Sequence, residues 1–159
     1  MGKQHILVVD DEELNRMMLE DSLCDEYEVD LACNGAEALE LIEKDPFRYA
    51  AVLSDLSMPT MDGFGLLEKL QESGYSKRVP VVIITSENQQ NVEVRCLSLD
   101  SIDFVRKPFH FPVILRRVRN VVNLFNYQHF LENELERRDR ELAENDDIRE
   151  KILRLLMRG

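Results

Sequence analysis

Apolar residues follow two rhythms along this chain. Short unbroken or alternating runs are separated by stretches in which they return every three or four positions. The runs are "HILVVD" (5–10), "YEVDLA" (27–32), "YAAVLSD" (49–55), "VPVVIIT" (79–85) and "SIDFV" (101–105). Runs of this length and composition predict strands. Between them, "ELNRMMLEDSLC" (13–24) has helical spacing through Leu14, Met17, Met18 and Leu23. "NGAEALELIEK" (34–44) predicts a helix with Asn34 near its start and Ala38, Leu41 and Ile42 inward. Further helices are predicted over 63–73 and, more weakly, 88–99, and a last one begins near Phe111.

Five strands alternating with five helices predict an α/β fold with a mainly parallel sheet. Runs rich in Val, Ile and Leu fit a sheet covered on both faces. Right-handed crossovers then bring all strand carboxyl ends to one edge, where such sheets bind ligands. The residues delivered there are Asp10, Asp11, Asp55, Thr85 and, just past the fifth strand, Lys107. Taken singly, an acidic pair or a Thr-Ser step could be only a helix cap. Together they make a demand, because unit charges of one sign about 4 Å apart repel by roughly 4 kcal/mol at an effective dielectric near 20. Either protons stay on or a cation enters, and a hard ion such as Mg²⁺ suits carboxylates and water. With a lysine and a hydroxyl beside them, three carboxylates suit a phosphoryl group in transit.

Composition narrows the alternatives. The chain has 159 residues, one domain plus an appendage, with 44% apolar residues, enough for a core. A formal charge of -11 argues against nucleic acid and anionic membrane as partners. No apolar run is long enough to span a bilayer, and the start has no secretion-signal pattern. Cys24, Cys33 and Cys96 are odd in number and widely spaced, which suggests buried thiols in a reducing cytoplasm.

The segments "ILVVDDEELNR", "LSDLSMPTMDG", "VVIITSE" and "DFVRKPF" resemble the receiver domain of two-component response regulators, over roughly residues 3 to 122. The resemblance implies a flavodoxin-like, doubly wound, five-stranded parallel (βα)5 sheet. It implies that Asp55 is the phosphoacceptor, that Asp10, Asp11, Asp55 and the backbone carbonyl of Ser57 hold Mg²⁺ (or Mn²⁺), and that Lys107 contacts the phosphoryl oxygen. It further implies switch roles for Thr85 and Phe104, a cis Lys107–Pro108 bond, and phosphorylation by a histidine kinase or phosphotransfer protein. Beyond self-phosphorylation and self-dephosphorylation, no enzyme activity is implied. Four positions depart from or vary within the pattern. Phe104 stands where Tyr is commoner, Asp100 where Gly is usual, and Ser57 and Asn88 are small polar residues that leave room for attacking water. A phosphohydrolase of similar logic would carry D-x-D after the first strand, where this chain reads Asp10-Asp11-Glu12-Glu13.

The receiver pattern covers 1–124, and 125–159 is a helical extension. From 128 to 159, 16 of 32 residues are charged, nine acidic and seven basic. Heptad positions a (Val121, Gln128, Leu135, Leu142, Arg149, Leu156) and d (Leu124, Leu131, Arg138, Asn145, Ile152) are apolar at seven of eleven places. That predicts a long C-terminal helix forming a dimeric coiled coil, against the alternative of a lone helix with i,i+4 pairs such as Glu134–Arg138. A break is expected near 145–147, after which the apolar phase shifts. The expected function is a receiver that relays through this helix to an output domain outside the chain, such as a cyclic-dinucleotide enzyme. The alternative is a complete single-domain regulator acting by protein binding.

Overall fold

The structure is a computed structural model that describes residues 2–86, 94–95, 99, 102–108 and 110–158. Its strands are β1 (Gln4–Val9), β2 (Tyr27–Ala32), β3 (Tyr49–Asp55), β4 (Val81–Thr85) and β5 (Ile102–Arg106). They form one parallel sheet in the order β2-β1-β3-β4-β5. The helices are α1 (Glu13–Leu23), α2 (Gly35–Lys44), α3 (Gly63–Glu72) and α4 (Phe111–Leu156), with a 3-10 turn at Tyr75–Lys77. The expected helix over 88–99, together with Asn88, Cys96 and Asp100, lies outside the described residues apart from scattered positions.

Alternation along the strands explains the two-sided core. Leu7, Val9, Val52 and Ile83 point to one face, where Ala38 and Ile42 of α2 and Leu66, Leu67 and Leu70 of α3 cover them. Ile6, Val8, Leu53 and Ile84 point to the other, under Leu19 and Leu23 of α1 and Ile114, Val118 and Val122 of α4. Each such fully buried Leu or Ile contributes about 1.5–3 kcal/mol relative to exposure. Local chemistry starts the helices. The Asn34 side chain accepts from Glu37 N (2.8 Å), while the Glu37 carboxylate accepts from Cys33 N (2.8 Å). Asp62 accepts from Gly65 N at 2.7 Å to open α3.

By contact density the chain divides into Met1–Val122 and Asn123–Gly159. Within the first unit, two basic residues of the "RRVR" stretch are held by acids of the same chain. Arg117 pairs with Asp103 at 3.1 Å, and Arg119 pairs with Glu26. The second unit is helical from Asn123 to Leu156.

Four expectations are corrected. Of the expected stripe Leu14, Met17, Met18 and Leu23, only Leu23 is buried; α1 buries Leu19 beside it, and Leu14, Met17 and Met18 are exposed. Cys24 and Cys33 are exposed rather than buried, because each lies just past the end of a buried element. No break occurs at 145–147, where Asp147 accepts from Lys151 one turn on (2.6 Å) instead of capping a new start. Glu134 pairs with Arg137 rather than Arg138, and also in the second unit, Arg140 donates to the Glu136 carbonyl. No helix among the described residues is long and apolar enough to cross a membrane.

Candidate functional site

Register brings the site together. Val9 stands beside Ala32 on one side and Ser54 on the other, so Asp10 and Asp55 leave adjacent strands at the same height. Asp55 is level with Ile84, and Thr85 with Arg106, which delivers Thr85 and Lys107 to the same edge. The carboxylates of Asp10, Asp11 and Asp55 offer oxygens all within 4.8 Å of one another. Lys107 Nζ lies 3.3 Å from Asp55 Oδ2 and 3.7 Å from Asp10 Oδ2. The Lys107–Pro108 peptide is cis.

Asp10 and Asp55 are buried, at 1% and 7% exposure, whereas Asp11 is exposed. Each buried carboxylate is anchored. Asp55 Oδ1 accepts from Leu56 N at 2.8 Å. Asp10 Oδ1 accepts from Glu12 N at 2.9 Å, and Asn15 donates to Oδ2 at 3.3 Å. Arg16 donates to the Asp10 backbone carbonyl at 2.6 Å. Burial pushes the Asp55 carboxyl above the usual range, the Lys107 ammonium opposes this, and the Asp10 charge adds to it. Thr85 is buried at the end of β4, and its carbonyl accepts from Lys107 N at 2.7 Å, tying the hydroxyl-bearing residue to the lysine. Phe104 is half-buried and packs against the core cluster under α2 and α3.

The loop after Asp55 folds back on its strand, with Gly63 N donating to Leu56 O at 2.8 Å. Between this loop and Asp11, in the turn after β1, opens a cleft of about 540 Å³, whose walls include Asp11, Ser57, Pro59, Asp62 and Phe64. Ser57 thus sits on the rim beside Asp11. The donor set is all oxygen and carries three negative charges, so it could hold a hard divalent cation. Every expected site residue therefore stands at this edge, with Phe104 one strand position inside it. Sequence reasoning missed Asn15 and Arg16, which support Asp10 from the first turns of α1. Their signal was the distance of five and six residues from Asp10, which carries a helix turn back over the strand end.

Comparison with known proteins gives a consistent picture. The family model for the response regulator receiver domain matches residues 6–119. Two-component response regulator ORR5 of Oryza sativa is 37% identical over 108 residues, covering 67% of this chain and 80% of that one. A probable cyclic di-GMP phosphodiesterase of Vibrio cholerae is 29% identical over 149 residues, 89% of this chain; the match spans only 33% of that protein. Among solved structures, chemotaxis response regulator CheY4 of Vibrio cholerae aligns with TM-score 0.69 and 28% identity, over 76% of this chain and 99% of that one.

Proposed function

This chain belongs to the response regulator receiver family, and on that premise we propose that Asp55 accepts a phosphoryl group from a histidine kinase or phosphotransfer protein of a two-component system. The observation that carries the proposal is the Asp55 carboxylate, buried at the sheet edge, 3.3 Å from Lys107 Nζ and grouped with two further carboxylates. A carboxylate oxygen of Asp55 attacks the phosphorus of a phosphohistidine. The P–N bond breaks, its electron pair stays on the imidazole nitrogen, and that nitrogen takes up a proton. Lys107 meets the charge arriving on the phosphoryl oxygens, and burial excludes competing water.

Asp10, Asp11, Asp55 and the Ser57 carbonyl are the residues that would hold Mg²⁺ or Mn²⁺. Bound there, the ion would neutralise phosphoryl oxygens that three carboxylates otherwise repel. Phosphorylation adds about -1.5 to -2 of charge at one point. The Thr85 hydroxyl donates to the new oxygens and draws the end of β4 inward, and Phe104 repacks against the core beside it. The signal passes to α4, whose exposed apolar residues beyond Val122 support a homodimer through the C-terminal helix. The long alignment to a protein named as a cyclic di-GMP phosphodiesterase supports a cyclic-dinucleotide output. The chain's acidity fits a cytoplasmic protein that binds neither nucleic acid nor membrane.

Metal dependence tests the site. With a small-molecule phosphodonor, uptake of phosphate should stop in EDTA. Asp11→Asn, at an exposed position, should raise the Mg²⁺ concentration for half-maximal uptake by on the order of 10–100-fold with little change in stability. Uptake that proceeds equally in EDTA would remove the metal from the account.

A further inference from the structure

We infer that two copies of the C-terminal helix pair antiparallel, with the acidic seam of one copy lying along the basic seam of the other. This rests on the reading that the helix dimerises and goes beyond it by fixing the direction and the contacts.

The second unit carries two apolar rows in different phases. The first consists of Leu124, Leu131, Leu135 and Leu142, the second of Ile148, Ile152 and Leu155. All seven are exposed, from 43% at Leu131 to 71% at Leu155, so nothing among the described residues covers them. An uncovered stripe of this length calls for a partner helix. The flanking charges differ between the rows. Glu132, Glu134, Asp139 and Glu141 border the first, whereas Arg149, Lys151 and Arg158 border the second. From 131 to 147 there are eight acids and three bases; from 148 to 158 there are four bases and one acid.

A parallel, in-register pair sets like against like. Glu134 would face Asp139 of the second copy, Glu141 would face Asp146, and Arg138 would face itself. Antiparallel pairing about Asn145 replaces these contacts for Glu134, Arg138, Asp139 and Glu141. Leu142 then meets Ile148 of the other copy, and Leu135 meets Leu155. Arg149 meets Asp139, Lys151 meets Glu141, and Arg158 meets Glu134. Two-fold symmetry makes each contact twice. The overlap from 135 to 155 is about 30 Å of helix. The phase change at Asn145 falls on the axis, so Leu135 and Leu142 of each copy meet the second row of the other, while Leu124 and Leu131 lie outside the overlap. Arg138 lies opposite Ile152, where its stem covers the apolar side chain and its guanidinium reaches water.

The charges are available for this. Among the described residues, Arg149, Arg158 and Asp139 form no ion pair within the chain. Lys151 pairs with Asp147, and Glu134 and Glu141 share Arg137, but these are exposed i,i+3 and i,i+4 contacts that exchange at little cost.

Light scattering of the full chain at tens of micromolar, with helicity followed by circular dichroism, tests the pairing. Asp139→Arg and Arg149→Asp should each weaken the dimer by on the order of tenfold, and the double variant should restore it. In a background with all three cysteines changed to Ser, mixed Leu142→Cys and Ile148→Cys chains should form a disulfide with each other and not with themselves. A dimer tightened by Asp139→Arg, or self-linked through Leu142→Cys, would overturn the antiparallel pairing while leaving the dimer. A monomer throughout would overturn both.

Discussion

Lys107→Met is expected to lower the unfolding free energy by about 3 kcal/mol at pH 7, measured by urea denaturation. The lysine is the cation set against two buried carboxylates, at 3.3 Å from Asp55 and 3.7 Å from Asp10. Removing it leaves those charges facing each other without compensation, which costs more than the intact pair contributes. The pH dependence has a definite sign. Asp55 already stands above its unfolded pKa because burial penalises its charge, and loss of Lys107 raises it further. A carboxyl raised in the folded state destabilises the fold fully above its folded pKa, and that cost is relieved as pH falls through it. The gap between variant and wild type should therefore narrow on acidification. It should also narrow when Asp55→Asn is combined with Lys107→Met, since the amide carries no charge. An equal gap at every pH and in both backgrounds would mean that Lys107 acts by packing alone.

Gly63→Ala is expected to slow phosphate uptake by about 10²-fold and to cost about 1–3 kcal/mol of stability. A β-carbon there would lie 2.6 Å from the carbonyl oxygen of Asp55 and 2.9 Å from Leu56 Cα. Both are backbone atoms of the strand end that carries the reactive carboxylate, so no side chain can swing away to make room. The strand end must shift, and a displacement near 1 Å at a reacting group costs on the order of a hundredfold. Gly65→Ala is the matched control. Its β-carbon would meet only the Met61 side chain at 3.2 Å and the Asp62 carboxylate at 3.4 Å, so uptake and urea midpoint should stay near wild type. Equal behaviour of the two variants would show that the strand end tolerates movement.

Why was so much of the site legible in the sequence? Its residues lie at the ends of strands whose apolar runs mark those ends sharply. "YAAVLSD" stops at Asp55, and β3 stops there too. Parallel topology does the rest, because it sends every strand end to one edge. The outward-facing apolar residues of α1 were harder. Leu14, Met17, Met18 and Leu23 share helical spacing, yet of these only Leu23 is buried, with Leu19 beside it. Periodicity shows that a helix is amphipathic, not which of two overlapping stripes finds a partner. The missing break at 145–147 has a similar origin. Asn and Asp favour helix starts, yet on a continuous helix Asp147 is as well served by an ion pair with Lys151. The roles of Asn15 and Arg16 depended on how α1 turns back over Asp10, a matter of geometry that spacing alone only hints at.

Intact mass after incubation with Mg²⁺ and a small phosphodonor, followed by peptide mapping, decides whether Asp55 takes the phosphoryl group. Wild type should gain one phosphoryl group, carried by the peptide containing Asp55, and a folded Asp55→Asn variant should gain none. Equal uptake in the two proteins, or a phosphoryl group mapped to another residue, would contradict that role for Asp55.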